Sequence, residues 1–321
     1  MALELDTHRF LHFELTHAPD GEDFHYLDIA KMLSEINRKS FRQGMTYDVA
    51  NIVFHNSADD ETLINVCTAP NTWVIQAAWQ AGFRHWRQRI NIAEDSLEDD
   101  DALTGPWSDF KVYLNSAHKA GTADYSVFID VEDNTCLGGD WDYSYYTTMV
   151  DKADSDAKDN VAIMLMGPHD GDFTDGTGVA VSLLEVLENT IKTPTEDPSL
   201  PAGSTDSLWT FLSPDVADSE MIKQVILREE QSNDLPPYDL TVIAGAGTAG
   251  VGRPSDPWIS RVVCIPGGGA HMAACGGFAA PCGLVVIETL QDGVDTIGVT
   301  LELVPGDYKG VSARPMRGGG R

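Results

Sequence analysis

The sequence predicts a protein dominated by β-sheet, built as a sandwich with a few helices set into its loops. Three observations carry this. Short stretches rich in β-branched residues recur along most of the chain, separated by Gly, Asp and Asn turns, a spacing that favours sandwiches over α/β folds. In the last quarter, Leu284-Val285-Val286-Ile287 and Ile297 to Val304 flank a Gly- and Asp-rich turn, Gln291 to Asp295, which predicts two paired strands. There Val299, Leu301 and Leu303 alternate with Thr300, Glu302 and Val304, the mark of a strand with one buried face. Finally, the chain divides into two halves, each with many short strands, long polar loops and one convincing helix, and no repeat relates them.

In order, FLHFELTH (Phe10 to His17) alternates and reads as a first strand. Phe24 to Lys39 reads as a short helix, with Ile29, Met32, Leu33 and Ile36 at helical spacing. Tyr47 to His55 and Leu63 to Cys67 are strands around the turn SADDE. The clearest helix follows, capped by Asn71-Thr72, with Ile75, Trp79, Phe83, Trp86 and Ile90 along one side and Gln80, Arg84, Arg87 and Gln88 along the other. The aromatics are expected in a core stripe, and the arginines are expected to face the acids that follow, Glu94 to Asp101. Phe110 to Asn115, Tyr125 to Val131, Trp141 to Val150 and Val161 to Gly167 are further strands. Val179 to Lys192 is strand, helix or one running into the other, and 193–206 is a Pro/Ser/Gly-rich loop. Met221 to Glu230 reads as the second helix; Leu240 to Ala244 and Trp258 to Ile265 are strands.

With 21 Lys+Arg against 50 Asp+Glu, the formal charge is -29. Such a surface repels nucleic acid and anionic lipid at long range, which argues against a large nucleic-acid-binding face. There is no apolar run of about 18 residues to span a bilayer, and MALELDTHRF carries early acids and no long apolar stretch, unlike a secretion signal. The five cysteines lack CxxC spacing, so zinc and redox pairs are not expected. Buried free thiols are the simple reading, with a bridge between Cys275 and Cys282 left open.

Signals of chemistry are sparse. Gly245, Gly247 and Gly250 spell GxGxxG, but Gly252, Pro254 and Pro257 interrupt the helix that a dinucleotide site requires. His169, Asp170, Asp172 and Asp175 suit neither an EF-hand nor a zinc motif, so Asp170, Asp172 and Asp175 stand as calcium candidates beside the plain reading of a solvated acidic loop. Asp130, Glu132 and Asp133 are weaker still. No GxSxG elbow is present. No enzyme activity and no cofactor other than that calcium are expected.

Family resemblance carries more. APNTWVIQAAWQAGFRHWRQ (Ala69 to Gln88) running into SDFKVYL (Ser108 to Leu114) resembles the first half of capsid proteins from small tailless icosahedral viruses, known mainly from environmental single-stranded DNA virus sequences. NDLPPYD (Asn233 to Asp239), APCGLVVIE (Ala280 to Glu288) and VPGDYKGVSARPM (Val304 to Met316) resemble the second half, in the expected order. The resemblance implies a jelly-roll major capsid protein found in the virion, made in the host cytoplasm, and partnered by itself and other virion proteins. Single-jelly-roll capsids of this kind usually begin with an Arg-rich arm, and MALELDTHRFLHFEL is no such arm. The genome would then lie behind an internal membrane or be held by another protein.

The length suits two domains of common size, so the expected architecture is a double jelly roll: 1–167, then 168–308, then a basic flexible tail, 309–321. Three copies of a double jelly roll make a six-sided capsomer. A single jelly roll with long insertions is the alternative. The tail cations Lys309, Arg314, Arg317 and Arg321 are the candidates for touching lipid or genome, at about 1 kcal/mol each beside an anionic membrane; the plain reading is an end without a role. The functional rival is a carbohydrate-binding β-sandwich using Trp141, Tyr143, Tyr145 and Tyr146.

Overall fold

The computed structural model describes residues 7–16, 21–56, 61–95, 108–120, 125, 127–129, 135–136, 139–149, 158–169, 180–187, 259–265, 271–291 and 296–316. Its main strands are β1 (Phe10–Thr16), β2 (Gly21–Asp28), β3 (Met45–Asn56), β4 (Thr62–Thr68), β5 (Tyr145–Met149), β6 (Lys158–Met164), β7 (Ala180–Ser182), β8 (Ile259–Ile265), β9 (His271–Pro281), β10 (Leu284–Gln291) and β11 (Thr296–Leu303). The short β12 (Pro305–Gly306), β13 (Gly310–Val311) and β14 (Ala313–Pro315) follow. Helices α1 (Ile29–Asn37), α2 (Trp73–Asp95) and α3 (Ser116–Ala120) lie between strands, and residues 183–187 after β7 are also helical.

The protein is predominantly β, as expected, with antiparallel sheets forming a sandwich. One sheet runs β1-β11-β3, with β9 on the far side of β3 and β14 continuing the side taken by β11; Tyr47 pairs with both Ala280 and Ala313. The facing sheet runs β2-β10-β4-β8. Between them lies a core that includes Leu11, Phe13 and Leu15 of β1, Ile52 and Phe54 of β3, Ile64 and Val66 of β4, Val285 and Ile287 of β10, and Val299 and Leu301 of β11. The alternation read in β1 and β11 is realised, every second residue being buried.

The second sheet has a second core on its other side. Leu284 and Val286 of β10, Tyr26 of β2 and Cys67 of β4 pack with Val74, Ile75, Ala78 and Trp79 of α2, and with Tyr146, Val161 and Ile163 of a small β5-β6-β7 sheet. Strand β10 is therefore apolar on both faces, which is why its sequence is an unbroken run rather than an alternation. Gln43, at the end of the loop after α1, binds Val112 through both its amide atoms, Val112 N to Oε1 at 2.5 Å and Nε2 to Val112 O at 3.0 Å, and so fastens this layer to the sandwich.

Three expectations change. The two C-terminal strands do not pair with each other: β10 pairs with β2 and β4, β11 with β1 and β3, and the chain crosses between sheets. Their apolar residues face one another across the core, which sequence alone does not distinguish from edge-to-edge pairing. The helix expected over Phe24 to Lys39 begins only after Asp28, whose side chain accepts from Ala30 N and Lys31 N and caps it, while residues 24–28 extend β2. Strands from 10–68 and 259–315 interleave in both main sheets. Phe110 to Asn115 forms only an isolated bridge at Tyr113, where it is bonded to Ile163 and Leu165. The readings at 193–206, 221–230 and 240–250 lie outside the described residues.

Cys275 and Cys282 are buried, one in each core, and form no disulfide, so the open question of a bridge between them closes on two separate thiols. Next to Cys282, Gly283 has φ +68°, and a Cβ there would lie 3.1 Å from the Tyr47 ring and 3.3 Å from Ile29. Its carbonyl accepts from Ile29 N at 2.9 Å. Replacing Gly283 with alanine is expected to destabilise the fold by about 1–3 kcal/mol, through left-handed backbone and overpacking together. A denaturant titration with unchanged slope and lowered midpoint checks this.

Candidate functional site

The calcium candidates Asp170, Asp172 and Asp175 lie outside the described residues. Among the described residues, no group of three His, Cys, Asp or Glu is gathered as a metal would need. Of the tail cations, Arg317 and Arg321 also lie outside. Lys309 and Arg314 belong to the sandwich. Lys309 Nζ donates to Ser40 O and lies 5.5 Å from the ring centres of both Phe41 and Tyr308, while Thr7 Oγ1 donates to its carbonyl at 2.7 Å. Arg314 Nη2 meets Asp48 Oδ1 at 3.0 Å, and Ser312 Oγ donates to the other Asp48 oxygen at 2.7 Å. Met316 is buried, with its N–H donating to Gly44 O at 3.1 Å. These side chains thus tie residues 309–316 of the expected tail to the loop after α1 and to β3.

The densest polar group is a seam between the sandwich and the layer carrying α2. Its centre is Asp28, 6% exposed. Oδ1 accepts from Ala30 N (3.0 Å) and Lys31 N (3.2 Å); Oδ2 accepts from Gln43 Nε2 (2.9 Å), Trp141 Nε1 (3.1 Å) and Tyr143 OH (3.3 Å). Burial pushes this carboxyl above its ordinary value, opposed by those donors and by Lys31. Its acceptor positions are taken by the chain's own donors, so the group serves as a structural anchor. Tyr143 stacks on Tyr113 at 4.1 Å, and Lys111 Nζ lies 4.6 Å from the Trp141 ring centre.

His118 on α3 closes the seam. Its Nδ1 accepts from Leu114 N at 3.0 Å, Nε2 lies 3.5 Å from Tyr143 OH, and its ring stacks on Tyr26 at 4.9 Å. Burial, and secondarily Lys31, pushes its pKa down to about 4. His169 is likewise lowered to about 4 by burial. Although His169 Nδ1 lies 3.5 Å from Glu185 Oε2, that nitrogen accepts from Ser182 N at 3.0 Å, so the ring is neutral and the contact is not an ion pair.

None of Asp28, Gln43 and His118 stands out in the sequence. The only signal is local: Asp28 ends a strand just before a helical spacing, as capping residues do. Of the aromatics read as a sugar platform, Tyr146 is buried, Trp141 is bound to Asp28 and Tyr143 is stacked on Tyr113; Tyr145 is 55% exposed. Arg84 and Arg87 on α2 are exposed, and the acids they were expected to face, Glu94 to Asp101, have side chains outside the described residues. No protein-family model, curated protein or solved structure matches this chain.

Two outcomes are expected at the seam. Asp28→Ala removes the cap and strands the buried donors of Gln43 and Trp141, costing about 2–4 kcal/mol, whereas Asp28→Asn keeps an acceptor and costs less; chemical unfolding of both variants checks the order. His118 has a folded pKa of about 4 against an ordinary 6.5, so as pH falls below 6.5 the unfolded chain takes up the proton first. Its contribution to stability is therefore complete above pH 6.5 and lost as pH falls towards 4, on the order of 3 kcal/mol. His118→Gln should flatten the pH dependence of unfolding across that window relative to the parent chain.

Proposed function

We propose that this chain is the major capsid protein of a small tailless icosahedral virus, a jelly roll whose work is to assemble with copies of itself into a shell. The observation that carries the reading is the strand order. With the eight long sandwich strands taken in chain order, one sheet runs first-eighth-third-sixth and the other second-seventh-fourth-fifth. Consecutive strands switch sheets except at the fourth and fifth, and the first and last strands pair, which is the connectivity of a jelly roll. That fold is recurrent in viral capsids and is shared with lectins and cupins. The resemblance of Ala69 to Gln88 and of the C-terminal segments to capsid proteins selects among these.

On this reading the chain is a single jelly roll with residues 69–258 inserted between its fourth and fifth strands, rather than the double jelly roll. The insertion opens with α2 and carries the second core, so the long chain is accounted for without a second sandwich. Pentamers and small shells then fit better than the trimeric capsomers that go with two jelly rolls. Of the tail cations, Lys309 and Arg314 are engaged within the sandwich, so Arg317 and Arg321 are the ones this reading assigns to genome or membrane.

Light scattering on a sizing column, with electron micrographs of the same fraction, tests the reading. Closed shells or regular oligomers are expected. A monomer at every salt and protein concentration, together with binding on a glycan array, would replace it with the carbohydrate-binding sandwich. Deleting residues 317–321, which spares Arg314 and Met316, should leave shells intact and lower the nucleic acid or lipid carried per particle. Unchanged packaging would remove the tail's role.

A further inference from the structure

Helix α3 is a single turn of 5 residues, too short to be held by its own backbone bonds. Its buried residue is His118; Ser116 and Ala120 are exposed, and Ala117 and Lys119 are half-buried. The turn is therefore docked mainly through one imidazole. Tyr26 of β2 lies flat against that ring at 4.9 Å, and Tyr113 and Tyr143 meet it edge-on at 5.3 and 5.5 Å.

Hydrogen bonding fixes the tautomer of that ring. Leu114 N can only donate, and it meets Nδ1 at 3.0 Å, so Nδ1 carries no proton. The neutral ring holds its proton on Nε2, facing Tyr143 OH at 3.5 Å, and that hydroxyl donates to Asp28 Oδ2 at 3.3 Å. A second proton has one place to go, Nδ1, where it would meet the Leu114 N–H donor to donor. The groups around the ring offer little in exchange. Lys31 of α1 opposes a positive charge there, and Lys119 is a second cation, next along α3. The tyrosines are neutral in acid. Asp142 acts on Tyr113 rather than on this ring, and Asp28, beyond Tyr143, already accepts from Ala30, Lys31, Gln43, Trp141 and Tyr143.

We propose that α3 is an acid-released latch: a second proton on His118 breaks its bond to Leu114 and frees the turn from the seam, uncovering Tyr26, while both main sheets stay folded. The other side of that bond is held independently. Tyr113 N donates to Ile163 O at 2.9 Å, Leu165 N to Tyr113 O at 2.8 Å and Met166 N to Leu114 O at 2.9 Å, so α3 is the part that gives way. Docked, the ring titrates at about 4; released, it returns to its ordinary 6.5. The docked form is thus favoured above pH 6.5, and the released form gains as pH falls towards 4. This device goes beyond the self-assembly reading and does not depend on it.

Amide hydrogen exchange on the full chain between pH 7.5 and 4.5, corrected for the intrinsic pH dependence of exchange, tests this. Protection at Leu114, His118 and Lys119 should fall about fiftyfold, reversibly, while amides of β3 and β10 keep theirs. His118→Asn places an oxygen close to the position of Nδ1 and does not titrate, so in that variant protection around α3 should stay level across the window. Nitrogen NMR of the parent ring reads the same event without a substitution: Nδ1 should be bare at pH 7.5, and its protonation should coincide with the loss of protection. If β3 and β10 lose protection by the same factor, the proton acts on the whole fold and there is no latch. Protonation of Nδ1 with protection retained at Leu114, or an asparagine variant that responds to pH as the parent does, overturns the proposal equally.

Discussion

The fold depends on a sheet that is covered on both sides. Strand β10 stands in its middle, with Val285 and Ile287 turned to the sandwich core and Leu284 and Val286 turned to α2 and the small sheet behind it. Burying such a side chain contributes about 1.5–3 kcal/mol, so four successive positions on one strand hold three layers together. The consequence is mutual dependence. The long insertion cannot peel away without exposing Leu284 and Val286, and the sandwich cannot open without exposing Val285 and Ile287.

A doubly covered sheet needs a polar joint where chain segments from different layers meet. Asp28 and Gln43 supply it. Asp28 ends β2, caps α1 and receives Trp141 and Tyr143 from the insertion; Gln43 binds Asp28 and both backbone groups of Val112. A buried network of this kind contributes geometry more than net stability, because its members gave up comparable bonds to water. Its value lies in register: an apolar contact would let α2 and the segment around Val112 slide, and the amide of Gln43 does not. The neutral His118 belongs to the same joint, so its protonation state and the docking of the insertion are coupled.

Local pattern was legible in the sequence to the extent that it is written in single segments. The alternation in FLHFELT and TIGVTLEL fixes which residues face the core, and the stripe of Ile75 and Trp79 fixes the buried side of α2. Partnership was not legible. Nothing in LVVIETL says that its neighbours are β2 and β4 rather than β11, because a strand buried on both faces loses the period that would reveal its orientation. The interleaving of the chain's ends in both sheets has the same cause: long-range pairing leaves no local mark. The seam was missed because Gln43 and His118 draw their roles from atoms distant in sequence. The anchoring of Lys309 and Arg314 was missed because a run of cations and glycines has the composition of a tail whether or not Ser40 and Asp48 await it.

The net charge links these layers to assembly. Acids dominate the chain, yet few are brought into the described cores; Asp28 is buried only where several donors converge on it. Among the described residues Asp28 is the one buried acid. A chain this acidic stays dispersed by default, so any association surface must either carry compensating cations or be free of acids. The described cations are spent in both ways: Lys309 and Arg314 are committed to holding the chain's own C-terminal strands, while Arg84 and Arg87 are presented outward on α2.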